Sequence, residues 1–163
     1  MARRRVAIAA DVLGAITAYV QLTMTDQLAL LPTASGGVAA AAWADEYPPG
    51  TNPPLPYALI LDGPESYQFY SADPASGFKN FVITDGQVNV VFFAPTKQAA
   101  RQLGETFYAR ACNFPVPLPV GTGNITDLIP ATAMSAAPKE PFPGAPAAFV
   151  RVVVLHFKHE GFA

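Results

Sequence analysis

The stretch Gly86-Gln87-Val88-Asn89-Val90-Val91-Phe92-Phe93-Ala94-Pro95-Thr96-Lys97-Gln98-Ala99-Ala100-Arg101-Gln102-Leu103 decides the fold. Up to Phe93 the pattern has a period of two: Val88, Val90 and Phe92 share one face, and Asn89, Val91 and Phe93 share the other. Both faces are largely apolar near its end, which predicts a central strand. After Ala94-Pro95 the period becomes 3.6. Ala99, Ala100, Leu103, Phe107 and Ala111 form one stripe, while Lys97, Gln98, Arg101, Gln102, Glu105 and Arg110 form the wet side. Thr96 is the predicted N-cap, its hydroxyl accepting from a free backbone N–H. Asn113 and Phe114-Pro115 end the helix. A strand feeding an amphipathic helix in this way predicts a sheet covered by helices.

Upstream, Phe81-Val82-Ile83 precedes Thr84-Asp85-Gly86-Gln87, and Asp-Gly between apolar runs predicts a β-hairpin turn. Tyr57–Leu61 is a strand candidate. Asp62-Gly63-Pro64 reads as a turn, Tyr67–Tyr70 as a second short strand, and Asp73–Gly77 as a loop. Downstream, Phe149-Val150-Arg151-Val152-Val153-Val154-Leu155-His156-Phe157-Lys158 is a strand by its β-branched content. The predicted class is α+β: one mainly antiparallel sheet of about four or five strands packed on two helices, in a single domain spanning residues 1–163.

Two segments read as proline-rich loops or arms. Residues 33–56 carry Pro48-Pro49-Gly50 and Pro53-Pro54-Leu55-Pro56, a density that favours extended, polyproline-like backbone. Residues 113–148 hold eight of the 17 prolines, and within them only Asn124–Ile129 looks capable of regular structure. Such long loops in a compact domain are usually functional or disordered.

At the N-terminus, Arg3, Arg4 and Arg5 precede an apolar run from Val6 to Met24. One reading is a signal or anchor segment, and with it a secreted protein that loses about its first 25 residues. The favoured one is an amphipathic helix over about residues 5–30, broken near Thr23–Asp26, with Val6, Ala9, Leu13, Ile16 and Val20 as its buried stripe. Asp11 speaks for the helix, because a carboxylate at the centre of a membrane span costs about 2.5–3.5 kcal/mol.

The composition narrows function by exclusion. Of 163 residues, 51% are hydrophobic and only 13% charged, about half the usual charged share of roughly 25%. That excludes a solvated disordered chain and leaves little charge to cover an isolated sphere. A net charge of −2 predicts no bulk attraction to nucleic acid or anionic lipid, so neither sequence-specific nucleic-acid binding nor a membrane partner is expected. The single cysteine, Cys112, excludes an intrachain disulfide and reads as a buried inert thiol. His156 and His159 fall on opposite faces of their strand, a poor arrangement for joint metal ligation. The twelve carboxylates are scattered, with Asp62, Asp73 and Asp85 in turn-like contexts. No phosphate loop or nucleophile elbow is present. No catalytic, cofactor-binding or metal-ligating residue is predicted, and the chain reads as a binding or assembly protein whose arms pack on neighbouring subunits. The rival class is a small monomeric enzyme or ligand-binding module with a pocket between sheet and helices.

Three segments carry a resemblance: Pro54-Leu55-Pro56-Tyr57-Ala58-Leu59-Ile60, Gly86–Ala94 leading into Thr96–Arg110, and Phe149–Phe157 with its single basic residue. In this order, after a first helix, the pattern resembles the tail terminator and head–tail joining (neck) proteins of tailed bacteriophages. The resemblance implies a non-enzymatic virion subunit, assembled in the host cytoplasm into a ring, commonly a hexamer. Such a ring caps the tail tube, contacts the tail tube protein, and docks to a head-completion or portal-side connector protein. Trp43, Tyr47 and Phe142 on the arms, with Arg3, Arg4 and Arg5, are the expected interface residues, since aromatics and arginine dominate interface hot spots.

Overall fold

A computed structural model describes residues 11–24, 26–27, 55–70, 81–140 and 147–162. The element order is α1 (Val12–Met24), β1 (Tyr57–Tyr70), β2 (Phe81–Ala94), α2 (Lys97–Ala111), β3 (Leu118–Val120), β4 (Gly123–Lys139) and β5 (Ala148–Phe162). The strands form one five-stranded antiparallel sheet in the order β1-β2-β5-β4-β3. This is the expected α+β architecture, with β2 inside the sheet as its two apolar faces require.

Both helices lie on one face. Val88, Val90 and Phe92 of β2 pair with Leu155, Val153 and Arg151 of β5, and this row points at α2. Phe107 of α2 is fully buried against Phe92, with ring centroids 5.4 Å apart. Thr96 caps α2 as predicted, accepting from Ala99 N at 3.1 Å. Gly104 lets α2 sit directly on β5: a Cβ there would come within 2.3 Å of Arg151 Cγ. Tyr19 joins the helices, edge-on to Phe114 at 4.6 Å and donating its hydroxyl to the Arg110 carbonyl at 2.7 Å. Burial pushes that phenol's pKa up. Arg110 closes the same junction, donating to the Thr23 carbonyl and pairing with Asp26 at 2.8 Å.

Helix α1 is described from Val12 to Met24; residues 5–10 and 28–30 of the expected helix lie outside the described residues. Asp11 caps it, its Oδ1 accepting from Gly14 N at 2.6 Å, so the carboxylate sits at the helix's edge and not within it. Leu13, Ile16 and Val20 are buried as the stripe predicts. The helix ends at Met24, near the expected break. Among the described residues no helix is long and apolar enough to cross a membrane.

Three turn or loop assignments are corrected. Thr84–Gln87 is not a hairpin turn, because β2 runs straight through it. Gly86 is there to make room: a Cβ would come within 2.4 Å of the Phe157 ring. Asp85 lies opposite Lys158, itself opposite Asp127, a row of alternating charge that suits continuous strands. Asp62-Gly63-Pro64 is a register irregularity within β1, tolerated because β1 is an edge strand that pairs with no other strand on its outer side among the described residues. The reading of residues 113–148 as an arm fails for most of that segment, which forms β3 and the 17-residue β4. Prolines misled that reading. Pro130 and Pro138 are compatible with an edge strand, and they coincide with two of its three register shifts. The tight hairpin of the fold is Val120-Gly121-Thr122-Gly123, where Gly121 has φ 59°.

Candidate functional site at the sheet edges

The long strands nearest the two edges, β1 and β4, each have one covered half and one bare half. On β1, Ala58, Leu59 and Ile60 are buried, but every residue from Pro64 to Phe69 is exposed. Tyr67 is 66% and Phe69 60% exposed. On β4, Ile125, Leu128 and Pro130 are buried, but from Ala131 to Lys139 only Ala133 is even half-buried. Strand β3 pairs only with Gly123–Ile125, so the rest of the outer edge of β4 has no described neighbour. Because β1 and β4 run antiparallel, the two bare halves occupy diagonally opposite corners of the sheet.

The corners differ in chemistry. The β1 corner presents large rings and a carboxylate on the helix-bearing face: Glu65 opposite Gly86, Tyr67 opposite Thr84 and Phe69 opposite Val82. Tyr67 donates its hydroxyl to Glu65, and that bond to the carboxylate raises the phenol's pKa. The β4 corner presents uncharged residues, all small except Met134, in Ala131-Thr132-Ala133-Met134-Ser135-Ala136-Ala137 between its two prolines. Arg151 reaches across from β5 over this corner. Its Nη1 donates to Ser135 Oγ at 3.0 Å, and its buried Nε has no partner among the described residues. Among those residues no carboxylate pairs with its guanidinium.

The face away from the helices also carries apolar side chains. Phe93 and Val150 are buried there, while Ile129 and Met134 stand 51% and 49% exposed.

A cavity of about 410 Å³ opens between the start of α1 and the sheet, lined by Asp11, Asp62, Glu65, Tyr67, Thr84 and His159 among others. His159 is committed to structure, its Nε2 donating to the Val120 carbonyl at 3.0 Å. His156 is on the opposite face, as alternation requires, and accepts from Gln87 Nε2 at 2.8 Å. No group of three or more metal-ligating side chains occurs among the described residues. Cys112 corrects its assignment: it is the exposed C-cap of α2, one residue beyond the buried stripe.

Trp43, Tyr47, Phe142, Arg3, Arg4 and Arg5 lie outside the described residues, as do residues 33–54 of the expected 33–56 arm. The β4 edge residues were missed as a site because residues 113–148 read as loop, and Tyr67 and Phe69 because a strand read locally does not show that it is an edge. Arg151 did carry a signal, a lone cation in a β-branched strand. Neither a scan against protein-family models nor a search of curated proteins returns a match to this chain.

Proposed function

We propose that this chain is a non-enzymatic structural subunit of a tailed-phage virion, a tail terminator or connector that forms a ring at the head–tail junction or the end of the tail tube. Its partners are further copies of itself, the tail tube protein and a head-completion or portal-side connector. The observation that carries this reading is a single chain with two sheet edges, at opposite corners, that no other strand covers among the described residues. Unpaired edges invite strand addition, and a protein that keeps them is served by a neighbour that covers them. A contact between two different patches repeats around a ring when the rotation closes. The resemblance of the strand–helix pattern to terminator and neck proteins supplies the biological setting.

Purified full-length chain should run in native mass spectrometry as a defined multiple of 17.2 kDa and give annular particles in negative stain. A monomer at every concentration, including in the presence of tail tubes, would overturn the reading. The cavity beside Asp11 supports a second reading, a small monomeric enzyme or ligand-binding module. That reading predicts a monomer whose melting temperature rises with a small molecule.

A further inference from the structure

We propose that the β4 corner of one protomer is extended by the β1 corner of a second copy. Residues 131–135 would run antiparallel to residues 65–69 of the neighbour, with Ser135 opposite its Glu65 and Ala133 opposite its Tyr67. This rests on the ring reading above and names the contact that builds the ring.

Four observations converge on it. First, direction is right. The four long strands alternate, so β4 runs antiparallel to β1. A second copy that keeps its helices on the same side therefore adds β1 antiparallel to β4, continuing the sheet. Second, the pairing windows match. On β4 the proline-free stretch ends at Pro130 and Pro138, and on β1 it starts after the Pro64 irregularity, which falls opposite the Ala136–Lys139 irregularity in this register. Third, size is complementary. Tyr67 and Phe69 are large exposed rings of β1; the register sets Tyr67 against Ala133 and brings Phe69 level with Ala131, where β4 has a register irregularity. Fourth, charge is complementary. The Arg151 guanidinium already lies over Ser135 on the helix-bearing face, and Glu65 belongs to that face of β1. A carboxylate opposite Ser135 arrives beside a cation that has no described counterion.

The alternative of two β4 corners meeting about a two-fold axis does worse on the last two points. It sets alanine against alanine, leaves Tyr67 and Phe69 bare, and brings two Arg151 side chains together.

The test is cysteine pairing in a Cys112→Ser background, which removes the exposed native thiol. Directly opposed Cβ atoms on neighbouring strands lie about 4.5–5.5 Å apart, close to disulfide range. Mild oxidation of the Ala133→Cys/Tyr67→Cys chain should give a ladder of multiples on a non-reducing gel that collapses with reductant. The Thr132→Cys/Tyr67→Cys chain, with its thiols on opposite faces, should give none. Circular dichroism confirms that both variants fold. A ladder only from the second chain, or a dimer from Ala133→Cys alone, overturns the proposal. Absence of any ladder while the native mass stays multimeric overturns this contact and leaves the ring. Absence of a ladder with a monomeric mass overturns both. Independently, Glu65→Lys alters only an exposed side chain and should shift the native mass to monomer. An unchanged multimer from that variant also counts against the proposal.

Discussion

The middle of the sheet and its two bare corners are built from the same kind of extended backbone to opposite ends. Under α2, Val88, Val90, Phe92, Val153 and Leu155 interlock with Leu103 and Phe107, all buried. At the corners, Glu65–Phe69 and Ala131–Ala137 bury almost nothing and are bounded by prolines and register shifts. Stability resides in the first region, since each buried large apolar side chain contributes about 1.5–3 kcal/mol. The capacity for contact resides in the second. Substitutions in the two regions should therefore separate folding from assembly.

The largest effect expected is in the middle. Phe107→Ala removes a fully buried ring that touches Phe92 and Tyr19, and should cost about 3–5 kcal/mol in urea unfolding. Gly86→Ala forces a methyl into the Phe157 ring and should cost about 1–3 kcal/mol by the same measurement. Next comes the link between the helix ends. Arg110 holds the Asp26 carboxyl well below its ordinary value of 3.8, so the ionised pair stabilises the fold above that pH. The stability gap between wild type and Asp26→Asn should be full at neutral pH and close as pH falls below 3.8, followed by thermal melts across an acid series. The smallest effect on folding lies at the corner. Thr132→Lys should leave unfolding within about 0.5 kcal/mol of wild type, because the side chain is exposed. Sedimentation should nevertheless show the multimer lost, since a lysine on an edge strand blocks strand addition.

Much of the architecture was legible wherever one physical signal dominated. The change of period at Ala94-Pro95, the Thr96 cap and the β-branched run of β5 each report local geometry directly. The misreadings share a cause. Asp85-Gly86, Gly63-Pro64 and Pro130 are turn residues by local chemistry, but tertiary position assigned them other work. Gly86 lies beneath a ring that is distant in sequence, and the prolines lie on strands with one side free. Whether a strand is an edge depends on pairing across the whole chain, which no local window contains. The candidate site was hidden for that reason. Its β4 half is an edge, and its charge complementarity appears only once Arg151 is seen reaching over Ser135.

Hydrogen–deuterium exchange on the assembled and the dilute chain tests the central claim most directly, because it reads both regions in one experiment. Amides of Val88–Phe93 should exchange slowly in both states. The outward-pointing amides of Ala131–Ala137 and Glu65–Phe69, which the pairing with β5 and β2 does not engage, should exchange fast when the chain is dilute and become slow together on assembly. Edges that stay fast in a multimeric particle, or that are already slow in an isolated monomer, would contradict the account.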